Sequence, residues 1–101
     1  GPATRLQWGA THVRALTDLA PDDVSAVEQA AASVLGELKP EPEVFEGRNL
    51  AVLQRLGTRL ADWGKTPDHA AAWGRVRAQW QQLCGALPEQ APQRAACSAP
   101  L

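Results

Sequence analysis

The chain has no isoleucine, no tyrosine and one phenylalanine among its 101 residues, so the side chains that favour strands are scarce. Its apolar content of 45% leans on alanine, which favours helices packed closely through small side chains. An all-α fold follows. Cysteine is scarce as well. Cys84 and Cys97 make no disulfide framework, and their spacing fits no zinc or redox signature, which points to a reducing compartment. The chain shows no signal peptide and no apolar run long enough to cross a bilayer. Gly1-Pro2 has the form of a protease scar, so a native leader could have preceded it. The expected location is intracellular, cytoplasmic or nuclear, with no membrane partner.

A chain of this length supports one domain and one core, without the deep enclosed cleft usual in enzymes. Net charge is −1, but it is unevenly spread. Residues 1–47 carry three basic and eight acidic side chains, and the remainder carries seven basic and three acidic. Either the two halves lie against each other inside one bundle, or surfaces of opposite sign meet different partners.

The clearest element is the stretch 66–87. Thr66 suits an N-cap, Pro67 a first helical position, and Asp68 the positive end of the helix dipole. His69, Trp73, Val76, Trp80, Leu83 and Leu87 then recur in steps of four and three, forming one stripe. Gly85 offers a left-handed cap and Pro88 ends the helix. The run Trp73, Val76, Trp80, Leu83 resembles the closing helix of the Leu-Trp type N-terminal domain of transcription elongation factors. The resemblance covers that helix alone and would imply a transcription-related helical domain.

Upstream, 3–19 reads as a first helix with two adjacent apolar stripes. One is Leu6, Ala10, Val13, Leu16 and Ala20; the other is Trp8, His12, Ala15 and Leu19. Arg14 and Asp18 stand at the spacing of a helical ion pair. Pro21 with Asp22 and Asp23 starts a second helix, 21–38, whose inner face is Val24, Val27, Ala31, Val34, Leu35 and Leu38. Residues 39–48 read as an extended connection, with Val44-Phe45 either anchoring it to the core or serving as a docking element flanked by acids. A third helix, 49–63, buries Leu53, Leu56, Leu60 and Trp63 and carries Arg48, Arg55 and Arg59 along one flank. Together these predict a four-helix, mainly antiparallel bundle over 3–87. Residues 88–101, with three prolines and no periodicity, read as a disordered tail.

Chemistry is thinly represented. His12 and His69 with two ill-spaced cysteines do not make a metal set, no strand precedes a phosphate loop, and no base accompanies Cys84 or the serines. No catalytic, cofactor-binding or metal-binding residue is assigned. The expected function is a non-enzymatic protein-interaction module, in which an apolar helix face receives a partner helix, a peptide or a second copy. Trp8, His12, Ala15 and Leu19 are the expected contacts, with the ridge Arg48, Arg55 and Arg59 as a further one. Against this stands a packing of the Trp8 stripe beneath the 39–48 connection, with Phe45 on Trp8. Two other classes remain: a nucleic-acid-binding domain using Arg48, Arg55, Arg59, Lys65, Arg75 and Arg77, which the acidic balance opposes, and a secreted four-helix ligand in which Cys84 and Cys97 pair.

Overall fold

The computed structural model describes residues 2–101 and is all-helical. Its elements are α1 (Pro2–Leu19), α2 (Val24–Gly36), a 3-10 turn at Pro42–Phe45, α3 (Gly47–Trp63), a 3-10 turn at Pro67–His69, α4 (Ala70–Gly85) and α5 (Pro92–Ser98). Among the described residues there is no strand.

Local chemistry sets the boundaries. The second helix begins at Val24 and not at Pro21. Asp23 is its N-cap, with a carboxylate that accepts from the Ala26 amide at 3.3 Å, so Pro21 and Asp22 are left in the turn. Thr66 makes no side-chain cap bond; its carbonyl takes the His69 amide at 2.9 Å, and a 3-10 turn precedes α4. Gly85 lies inside α4 and is not a left-handed cap. Among the described residues only Gly47 has a positive φ, 57°, at the first position of α3. The 39–48 connection is not wholly extended either, because its 3-10 turn carries Phe45 into complete burial.

Three hydrogen-bonded pairs, Asp22 with His69, Glu28 with Arg75 and Ala32 with Gln79, each join residues 47 apart. A constant offset means that α2 and α4 run side by side in the same direction. Asp18 and Pro21 meet Arg59 and Trp63, so the C-terminal ends of α1 and α3 also coincide. The bundle is thus two antiparallel hairpins, α1–α2 and α3–α4, stacked in parallel register. Gly9 permits the close approach within the first hairpin: a Cβ there would come within 2.7 Å of Val34 Cγ2.

The second hairpin is splayed. Helices α3 and α4 touch each other little, and α5 with the Phe45 turn occupies the space between them. The expectation of a disordered tail is therefore corrected. Pro92 occupies the first turn of a helix, where its missing amide costs nothing, and does not act as a breaker. Cys97 is buried and forms a disulfide with Cys84 across a Cα–Cα distance of 5.6 Å. The Trp80 indole, fully buried, donates to the Cys97 carbonyl at 3.0 Å. Pro100 reaches α3 at Gly57, where a Cβ would lie 2.8 Å from the proline ring and 3.2 Å from Trp80. Arg77 donates to the Leu101 carbonyl at 3.1 Å.

Trp80→Ala is expected to destabilise the domain by about 3–5 kcal/mol, a large part of what so small a core supplies. Removal of residues 88–101 is expected to cost more than about 2 kcal/mol, since it deletes a cross-link and one wall of the Trp80 site. Urea unfolding of both variants checks this; a truncated chain that unfolds with the wild-type midpoint would show that α5 contributes nothing.

Candidate functional site

Trp8, His12, Ala15 and Leu19 are all exposed on α1, the tryptophan at 72% and Leu19 at 85% of their full accessibility. At about 100° per residue they share one face, opposite the buried Leu6, Ala10 and Val13. Phe45 does not cover them; it lies in the core against α3 and α5. Every other tryptophan is buried or half-buried, so Trp8 alone among them presents its ring to solvent.

The stripe borders a groove of about 1450 Å³ between α1, α2 and the segment leading to Val44. Trp8, His12 and Leu16 line one wall and Ala30, Val34 and Leu38 the other. The sequence pattern assigns Val34 and Leu38 to the single inward stripe of α2 and leaves Ala30 out, so it does not separate this wall from the core. The signal was the unbroken i, i+4 series Ala26, Ala30, Val34, Leu38, displaced by one position from the buried Val27, Ala31 and Leu35. Charge at the rim is mixed: Arg5 and Lys39 stand with Glu37 and Glu41.

The arginine ridge is less available. Arg59 bonds Asp18 of α1, which replaces the expected pairing of Asp18 with Arg14. Arg48 and Arg55 are exposed without an ion-pair partner among the described residues. Arg75 spends its charge on Glu28 through two bonds of 2.7 and 2.8 Å, which hold the Glu28 carboxyl below its ordinary range and raise the guanidinium. Both bridges join an acid of the first hairpin to a base of the second, so part of the charge asymmetry is used within the bundle. The apolar stripe and the basic ridge remain on separate helices, linked through Arg59 and Asp18.

His69 is only 3% exposed and sits where the two hairpin turns meet. Its Nδ1 is 2.9 Å from the Trp63 carbonyl and its Nε2 is 2.9 Å from Asp22 Oδ1. Both neighbours are acceptors, so only the imidazolium, with two N–H donors, satisfies both contacts. The Trp63 ring stacks on the imidazole at 4.5 Å and 14°, and its indole donates to the Pro21 carbonyl at 2.9 Å. Trp63's carbonyl, followed by the Asp22 bond and the charges of Asp22 and Asp68, raises the His69 pKa against the opposing effect of burial.

No family model matches the chain, and no curated protein or solved structure matches it either. The one-helix likeness to Leu-Trp domains therefore extends no further than that helix, and the reading of function rests on geometry. Among the described residues no three His, Cys, Asp or Glu side chains converge as a metal set, and no buried side-chain polar atom lacks a partner.

A raised folded pKa fixes the sign of the pH dependence. The His69 contribution is complete below the unfolded value of about 6.5 and is lost as pH rises through the folded pKa. The stability gap between wild type and His69→Gln is expected to shrink from pH 5.5 to pH 9. Urea midpoints at both pH values test this, and a gap that widens with pH would mean that the imidazole is bound neutral.

Proposed function

We propose that the chain is a non-enzymatic protein-interaction domain that docks an amphipathic α-helix on the Trp8 stripe of α1, in a compartment that oxidises thiols. The exposure of Trp8 and Leu19 on one helical face carries this reading. The bundle already buries its core without them, and a large aromatic left in water is the kind of anchor that dominates binding energy. Steps of four, three and four between positions 8, 12, 15 and 19 match the seam of a helix pair, which makes a helix the fitting occupant. The Cys84–Cys97 pairing supports the compartment, because such bonds persist where thiols are oxidised. It favours an exported interaction domain over the cytoplasmic or nuclear location expected from the cysteine count. Among the described residues no helix is long and apolar enough to cross a membrane.

Trp8→Ala is expected to melt cooperatively within about 0.5 kcal/mol of wild type, because the side chain is exposed. A photo-crosslinking residue at position 15, in protein made by its own cells, is expected to give a discrete adduct that Trp8→Ala removes. Mass spectrometry of the adduct identifies its other half. Absence of any adduct, or adducts indifferent to Trp8, would reject the stripe as a docking face.

A further inference from the structure

We infer that the helix received by this stripe is the α1 helix of a second copy of the same chain, crossing antiparallel about a two-fold axis. This rests on the reading of the stripe as a docking face and goes further by naming its occupant. The positions are symmetric: 8 and 19 are equidistant from the midpoint between Val13 and Arg14, and so are 12 and 15. In an antiparallel pair centred there, Trp8 lies against the second copy's Leu19, and His12 against its Ala15. Bulk meets open aliphatic surface at the ends, and an imidazole meets a small side chain in the middle. A parallel pair would set Trp8 on Trp8, His12 on His12, Ala15 on Ala15 and Leu19 on Leu19, crowding the two indoles in one layer and leaving a gap at the Ala15 layer.

Charge favours the same arrangement. Arg5 lies one turn before Trp8, and Asp22 and Asp23 lie just beyond Leu19; all three are exposed, although one oxygen of Asp22 already bonds His69 and one of Asp23 caps α2. Antiparallel register carries Arg5 of each copy toward the second copy's Asp22 and Asp23, twice over. Parallel register would oppose like charges at both ends. An isologous contact places a patch on itself, so a strongly charged patch would repel its copy. The stripe holds no acid, lysine or arginine, and the groove rim balances Arg5 and Lys39 against Glu37 and Glu41. The seam runs from Trp8 to Leu19, about 16 Å of helix, which makes a small interface of the weak, reversible kind, with the groove wall of α2 beside it.

Sedimentation equilibrium of the full chain from about 1 µM to about 1 mM tests this, with a mass expected to rise from the 10.8 kDa monomer toward twice that value. Trp8→Ala is expected to weaken association by about 30-fold or more. Ala15→Glu, which puts a carboxylate at the centre of the seam while remaining exposed in the monomer, is expected to abolish it; Arg48→Glu on α3 is expected to leave it unchanged. Register is read with a photo-crosslinker at position 19, whose tryptic adduct is expected to contain the 6–14 peptide of the other copy. Two 15–48 peptides joined to each other, in place of one joined to 6–14, would overturn the antiparallel contact. A wild type that stays monomeric, or a dimer indifferent to both Trp8→Ala and Ala15→Glu, would overturn the second copy as occupant. If the position-15 adduct in cells then contains another protein, the docking face stands and only the occupant falls; if no adduct forms, both fall.

Discussion

Trp80 closes the gap that α3 and α4 leave between them, and much of the fold depends on that contact. Its ring reaches Gly57 on α3, and its indole N–H bonds to the Cys97 carbonyl on α5. An indole buried in this way needs an acceptor, and only the last helix provides it. The C-terminal segment is thus part of the core's polar accounting as well as its packing. The disulfide between Cys84 and Cys97 holds that segment against α4, where the acceptor is needed.

A second constraint aligns the hairpins. The Pro21–Asp22 turn and the Trp63–His69 turn are joined by the Trp63 indole, which donates to the Pro21 carbonyl, and by His69 Nε2 with Asp22, while His69 Nδ1 ties its own turn to the Trp63 carbonyl. Arg75 with Glu28 and Gln79 with the Ala32 carbonyl repeat the same 47-residue offset along α2 and α4. Burial of His69 makes its bonds costly to lose, whereas the partly exposed Arg75–Glu28 pair contributes modestly and mainly fixes register. With both hairpins held in parallel register, the outward face of α1 has no helix of its own chain to cover it. The proposed docking face is therefore a consequence of how the hairpins stack.

Half of that face was readable in advance. Trp8, His12, Ala15 and Leu19 stand out because helical periodicity assigns one more apolar stripe to α1 than a bundle member requires. The opposite wall, Ala30, Val34 and Leu38, was hidden because those side chains are half-buried or packed, and pattern alone does not separate a groove lining from a core. The ridge of Arg48, Arg55 and Arg59 was equally visible, yet Asp18, 41 residues from Arg59, claims one of its charges. A pairing at that separation leaves no local trace in the sequence.

The sequence by itself determined the class of fold, the four long helices to within a few residues, and the inward side of each, because period and propensity are local properties of the chain. Tertiary structure decided what depended on distant neighbours. It turned the tail from a proline-rich end into a fifth helix, because Trp80 and Cys84 offered it a place to bind. It drew Phe45 inward, since the splayed α3 and α4 left room for it. It also settled whether the second stripe of α1 lies inside or outside, for only the stacking of the hairpins leaves that side of the helix bare.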